Sequence, residues 1–359
     1  MAAAAAEVGD WRAHLPTRHR RRLQIWFWSI AATTFAVVVV GGITRLTQSG
    51  LSIVDWQPLI GAIPPLTETQ WAEAFDRYRE FPEYRQLRGT MTLGEFKVIF
   101  FWEYLHRLIA RLIGLVFLIP CAAFWRAGYL PRPLLFRALA LFALGATQGA
   151  VGWLMVRSGL IDRPSVSHYR LAAHLVLALT ILAFSVWLAR DVAAPRSRTG
   201  DEFSGWPPEL GGLTIVGVLL AAQILWGAFV AGLKAGLIYN TFPLMAGQLG
   251  PPAGLTLEPM VLNLVQNVAT VQWMHRALGT LLLTAVIILF LRVRRTARDA
   301  SSRRFNAAFG SLIALQYLAG VLTLVLRVPV ILGVVHQALA AVIVALWVAW
   351  MHHARRRGV

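Results

Sequence analysis

The sequence predicts an all-α membrane protein, with eight transmembrane helices as two tandem, pseudo-twofold-related four-helix bundles. Three observations carry this. The 359 residues are 57% hydrophobic and 14% charged, with a mean hydropathy of +0.59. The apolar residues collect into eight runs, each near the roughly 20 residues that cross hydrocarbon about 30 Å thick as a helix. Landmarks of the first four runs return in the last four. A helix satisfies its own backbone hydrogen bonds in lipid, and the alternating segments that a barrel needs are missing.

The runs lie at about 24–44, 97–119, 134–155, 168–189, 211–232, 268–291, 306–326 and 330–351. The net charge of +17 would suit nucleic acid, but its placement points elsewhere. Basic residues gather at alternate helix ends: Arg18 and Arg20 to Arg22; Arg126 and Arg132; Arg190, Arg196 and Arg198; Arg292 to Arg304; Arg355 to Arg357. This is the positive-inside pattern, which puts both termini in the cytoplasm and the charge against membrane lipid. The single cysteine, Cys121, excludes an intrachain disulfide and a Cys-pair metal site. No small-residue cleavage site follows the first apolar run, so the N-terminal segment does not read as a secretory signal.

In chain order, residues 1–23 form a cytoplasmic segment and 24–190 a first four-helix half. After the first helix comes the longest loop, 46–96, on the outer face. Trp56-Gln57-Pro58-Leu59-Ile60-Gly61 and Pro64-Pro65 predict a fixed turn there. Thr67-Glu68-Thr69-Gln70 has capping-box spacing and predicts a short amphipathic helix to about Glu80. Pro131 and Pro133 turn the chain from the second helix into the third. Residues 191–210 are polar and contain Pro and Gly, which marks a cytoplasmic linker. The second half spans 211–351 and a tail covers 352–359. Gly41 and Ser49-Gly50-Leu51 are echoed by Gly227 and Ala235-Gly236-Leu237. Gln148 and Gly152 are echoed by Gln316 and Gly320, and His106-Arg107 by His275-Arg276. An even number of helices per repeat makes the halves parallel in topology.

Of nine histidines, His14, His19, His352 and His353 sit beside Arg clusters and read as surface residues, and His168 lies at an outer helix mouth. His106, His174, His275 and His336 lie inside apolar helices at matched depth, two per half. A single such histidine is most often a satisfied core residue; four in a repeated pattern point to ligands. Two imidazoles from two helices suit the axial positions of a haem iron, whereas zinc needs a third or fourth ligand nearby. Haem propionates require cations, and Arg prefers bidentate carboxylate pairing. The candidates are Arg45, Arg107 and Arg276, then Arg163, Arg170, Lys234 and Arg327.

Glu103 separates the halves. It shares a helix face with His106, and a charged group at mid-bilayer costs on the order of 2–3 kcal/mol. Its counterpart is neutral Gln272. An acid in one half only suggests proton transfer or charge stabilisation there, with a structural ion pair to Arg107 or Arg111 as the alternative reading.

These residues resemble the heme A synthase family over about 24–351. The resemblance rests on Gly41-Gly42-Ile43-Thr44-Arg45-Leu46-Thr47, Ser49-Gly50-Leu51-Ser52, Trp56-Gln57-Pro58, Gly61, Pro64-Pro65, Glu103-Tyr104-Leu105-His106-Arg107, His174, His275-Arg276 and His336. It implies oxidation of the C8 methyl of heme O to a formyl group, by successive hydroxylations, to give heme A for cytochrome oxidase. It further implies that His106 and His174 flank heme O beside Glu103, and that His275 and His336 ligate the iron of a heme b. A heme O-producing farnesyltransferase and an unidentified electron donor or acceptor would be partners. The loop cysteine pair of one branch is absent. The long first loop matches the branch of mitochondria and related bacteria, and the short N-terminus suits a bacterial cytoplasmic (inner) membrane, with the haem sites toward the periplasm. Two rivals stay open: a diheme b-type electron carrier, which the four histidines fit equally well, and a transporter, which predicts broken helices. Gly145-Ala146-Thr147 and Gly149 could pack helices within the bundle or between chains, so a homo-oligomer is open too.

Overall fold

The computed structural model describes residues 11, 15–55, 60–161, 164–193, 207, 209–252, 254–297 and 299–357. These contain ten α-helices and no named β-strand. They are α1 (Thr17–Leu46), α2 (Glu68–Arg79), α3 (Pro82–Leu87), α4 (Leu93–Arg126), α5 (Arg132–Leu160), α6 (His168–Ala193), α7 (Leu210–Gly232), α8 (Val268–Thr296), α9 (Ala300–Val325) and α10 (Val330–Arg357). Eight of them are long and apolar enough to cross a membrane, one for each apolar run.

Most of these helices outrun their apolar windows, because lipid requires apolarity only in the crossing part. α4 begins four residues early at a capping box in which Thr92 accepts from the Glu95 N–H and Glu95 reaches back to Thr92. It continues past Cys121 and Pro120 to Arg126. Basic residues close α8 and α10, where they complement the negative end of the helix dipole.

Three apolar clusters organise the packing. One joins α1, α4, α5 and α6 through Phe27, Phe117, Leu134 and Leu188. Another joins α7 to α10 through Leu213, Val286, Phe309 and Trp350. Between them Val38, Leu182, Ala341 and Val348 make a seam of α1, α6 and α10. The first outer loop is packed as well: Ala74 and Tyr78 of α2 rest on Phe96, Ile99 and Phe100 of α4. The expected helix from Thr67 is α2, and its capping box is formed. The Trp56-Gln57-Pro58 turn lies outside the described residues. The described end of the expected turn, at Ile60 and Gly61, is a 3₁₀ turn, Ile60–Ala62; α3 was not expected.

At the inner ends, two expectations change. α6 runs through Ala193, three residues into the stretch read as a linker; residues 194–206 lie outside the described part. His352 is not a surface residue: it is 2% exposed. Its Nε2 lies 3.1 Å from Asp191 Oδ1, and Arg137 donates to Oδ2 at 2.6 Å. A carboxylate buried at the end of α6 needs donors, and α5 and α10 supply them. His19 stacks on Tyr129, His353 faces Asp299, and His14 lies outside the described residues. Asp191→Ala should cost on the order of 2 kcal/mol of stability, since Arg137 is partly solvated but His352 is not. Thermal unfolding in detergent reads this, and an unshifted transition would count against the anchor.

Candidate functional site

Each of the four intramembrane histidines is seated against a glycine of a neighbouring helix. A Cβ added at Gly41 of α1 would lie 2.8 Å from Cε1 of His106, on α4. Gly152 of α5 meets His174 of α6 at 2.8 Å, Gly227 of α7 meets His275 of α8 at 2.9 Å, and Gly320 of α9 meets His336 of α10 at 2.8 Å. Any larger residue would push the ring away, so glycine is what lets the imidazole lie in the neighbouring helix's notch. In each ring Nδ1 is turned toward the notch and lies nearer the glycine than Nε2 does. The backbones of Val37, Gln223 and Gln316, one turn before their glycines, stand as hydrogen-bond partners beside His106, His275 and His336.

Glutamines one helical turn before three of these glycines face the rings. Gln148 Nε2 lies 3.3 Å from His174 Nε2 and donates to the His174 carbonyl at 3.0 Å. Gln316 stands to His336 in the same way, at 3.4 and 3.0 Å, and Gln223 lies 3.4 Å from His275. Sequence reasoning missed this role. The signal was present as Gln-x-x-x-Gly, three times; at the fourth notch, before Gly41, the position holds Val37.

His106 and His174 line one cavity of about 550 Å³, together with Glu103, Arg45, Gln48, Glu83, Lys234 and Gln337. This lies within the size range of cofactor and ligand pockets. Gln337 arrives from α10, where its amide donates to the Val38 carbonyl at 2.6 Å. His275 and His336 are near enough to interact electrically, on α8 and α10.

Glu103 is 2% exposed and accepts three hydrogen bonds, from Ser52 Oγ at 2.7 Å, the Ile53 N–H at 2.8 Å and Arg107 at 2.6 Å. Arg107 also donates to the carbonyls of Ile53 and Asp55. The ion pair entertained as a structural role is therefore formed, and Glu103 borders the cavity as well. Gln272 sits in the same frame with reversed polarity. It donates to the carbonyls of Ala235 and Tyr239 and accepts from Arg276, which holds the carbonyls of Tyr239 and Thr241. Arg107 and Arg276 thus spend their guanidinium groups on loop backbone. Arg45 spans to α7, donating to the Ala231 and Gly232 carbonyls, and its Nε is buried without a partner. Arg170 binds the Leu154 carbonyl, Arg327 is exposed, and Arg163 lies outside the described residues.

The fold and site define a multi-pass membrane protein whose helices present paired histidines at glycine notches. Residues 24–348 match the family COX15-CtaA, described as Cytochrome oxidase assembly protein. The chain is 44% identical to Heme A synthase of Nitrosospira multiformis over 338 residues, 94% of each chain. It is 40% identical to Heme A synthase of Brucella ovis, covering 97% of each, and 42% identical to that of Agrobacterium fabrum, covering 92% of this chain and 90% of the relative. The chain belongs to the heme A synthase family, and a carrier without substrate chemistry is not favoured. The four notches, and the cavity that His106 and His174 share, fit haem ligation. Among the described residues no cluster of three or more His, Cys, Asp or Glu could hold a bare metal ion.

Glu83 adds a titratable group at the cavity's outer edge, on α3. It is buried, accepts from the Tyr78 hydroxyl at 3.1 Å and lies 3.9 Å from Arg88. Burial pushes its carboxyl up to about 7; Arg88, Tyr78 and Lys234 oppose the rise and Glu103 adds to it. The folded protein therefore holds this proton more tightly than the unfolded chain. The stabilisation is complete below about pH 4.5 and is lost as pH rises through about 7. Melting temperature in detergent should fall between about pH 5 and about pH 8, and Glu83→Gln should flatten that slope. An equal slope in the variant would exclude Glu83 as its source.

Proposed function

We propose that the chain works as a two-site heme A synthase, with substrate heme O between His106 and His174 and a resident heme b on His275 and His336. The carrying observation is that two equivalent histidine pairs differ in the residue beside the first ligand, a carboxylate at Glu103 and an amide at Gln272. When bound, heme b supplies one-electron chemistry through its iron, and the C8 methyl of heme O is the group oxidised to a formyl, by successive hydroxylations.

The protein's own residues hold and orient. The glycine notches fix the depth of each imidazole. Gln148 holds the His174 ring, and Gln223 and Gln316 stand against His275 and His336. Glu103, held by Arg107, Ser52 and the Ile53 N–H, presents a carboxyl group at the cavity wall, placed to accept a proton or to stabilise positive charge developing at the substrate edge. Arg45, with Lys234 beside it, faces the propionates; Arg107 and Arg276 secure the loops above the two sites.

Matched notches, matched loop clasps and left-handed residues at both Gln48 and Lys234 support a tandem duplication, with halves at 24–190 and 211–351. Basic residues at the helix ends remote from the histidines support cytoplasmic termini in a bacterial inner membrane, with both sites toward the periplasm. A farnesyltransferase would deliver heme O, and an electron partner would act through the heme b half.

Expression with a heme O source, followed by haem extraction and mass analysis, tests the reading: both heme b and heme A should be recovered. Heme b alone would return the chain to the electron carriers. Glu103→Gln should retain the heme b spectrum and bound heme O while heme A falls by about 100-fold or more, the scale of losing a positioned acid–base or charge-stabilising group. Normal heme A yield would end the assignment, and loss of bound heme O would reduce Glu103 to a loop clasp. Gly227→Ala should displace His275 and disturb the heme b spectrum, whereas Gly41→Ala should leave it intact; identical spectra in the two variants would separate the notches from ligation.

A further inference from the structure

The cavity of the first half has an open side. α4 and α5 line it from opposite walls but scarcely touch each other over its outer part, their closest aromatic contact being the Phe117–Phe142 stack, with centroids 5.3 Å apart. Between them stand Gly114, Gly145 and Gly149, and a Cβ added at any of the three meets no heavy atom within 4 Å. Gly145, Ala146 and Gly149 are exposed and border the cavity. With α4 and α5 making few contacts and no side chain standing between these glycines, the wall of the hollow is thinnest there. His106 and His174 line the same hollow.

The second half provides the control. Aligning His106 with His275 and Gly152 with Gly320 places Leu283 at the position of Gly114, Ile313 at Gly145 and Tyr317 at Gly149. Ile313 is buried and Leu283 packs on the same core. The Tyr317 and Thr280 hydroxyls lie 3.0 Å apart and join α9 to α8; Arg111 and Gly149 stand at those positions in the first half. One helix pair is filled and latched, and the other is hollow.

We propose that the slit between α4 and α5 seats the farnesyl tail of the substrate haem and admits it sideways from the bilayer, with Gly114, Gly145 and Gly149 as the residues that select for the tail. This rests on the two-site reading above. The tail is the apolar group that separates heme O from heme b, and the half assigned to tail-less heme b is the one whose slit is closed. An apolar chain crossing from cavity to lipid stays out of water along its length, and glycines leave it room without presenting a polar side chain.

The test is to give the first half the second half's residues. A Gly145→Ile, Gly149→Tyr double variant, purified after expression with a heme O source, should carry heme b as the parent does. Its heme O plus heme A content should fall roughly tenfold or more, as when side chains are forced into a filled space. Gly114→Leu, on the opposite wall, should do the same and keeps the test decisive if the double variant misfolds. Farnesylated haem at the parent's level in both would overturn the proposal. So would a change of oligomeric state with loading intact, which would make the glycines a contact between chains. If the parent itself carries no farnesylated haem, the two-site reading fails first, before the slit is tested.

Discussion

Everything at the site depends on an imidazole pressed into a glycine notch. A histidine inside lipid is costly unless its nitrogens find partners, and a bulky neighbour would turn it away from the bundle interior. Four glycines on four neighbouring helices remove that obstacle, at Cβ approaches between 2.8 and 2.9 Å. The notch sets the spacing of α1 on α4, α5 on α6, α7 on α8 and α9 on α10. Helix spacing in turn sets the depth and facing of the imidazoles. The glutamines before Gly152, Gly227 and Gly320 then occupy the edge of the ring, and before Gly41 the position holds Val37, which meets His106 through its backbone.

Directly above the first ligand of each half, a charged or amide side chain ties the outer loop to the helix. The two clasps use the same geometry with opposite polarity. Glu103 receives donors from Ser52, Ile53 and Arg107; Gln272 donates to Ala235 and Tyr239 and receives only Arg276. Exchanging Glu for Gln at 103 does not simply convert one half into the other, because the Ile53 N–H and Arg107 both need an acceptor and an amide has a single oxygen. Charge in the first half is thus built into the loop fold as well as into the cavity wall. This is why bound heme O, and not heme A yield alone, separates the chemical role from the structural one.

The halves are joined at both ends of the bundle as well as along its seam. Toward the outside, Arg45 caps the end of α7, and Lys234 reaches Gln48 at 3.4 Å. At mid-depth Gln337, next to His336, bonds α1 and borders the first cavity. At the opposite end of the bundle, Asp191 of α6 binds Arg137 of α5 and His352 of α10. Fixed separation between the two histidine pairs follows from these contacts.

The sequence alone determined the eight helices of membrane length, the matched depth of the four histidines, the α2 capping box and the odd position of Glu103, because these follow from apolar run length, repeat register and local spacing. It also carried the family motifs. Helix ends were less legible, since apolarity reports the part in lipid and not the polar turns that continue beyond it, as at Thr92 and Ala193. Arg107 and Arg276 read as propionate partners because charge in a membrane helix demands a counter-group; only the folded chain reveals that loop carbonyls supply it. His352 looked like surface because its neighbours in sequence are basic, while its true partner, Asp191, is 161 residues away. The hollow between α4 and α5 was the least visible feature. Gly145 and Gly149 are small in any reading, and whether a small residue draws helices together or leaves a gap is decided by what stands opposite it in three dimensions.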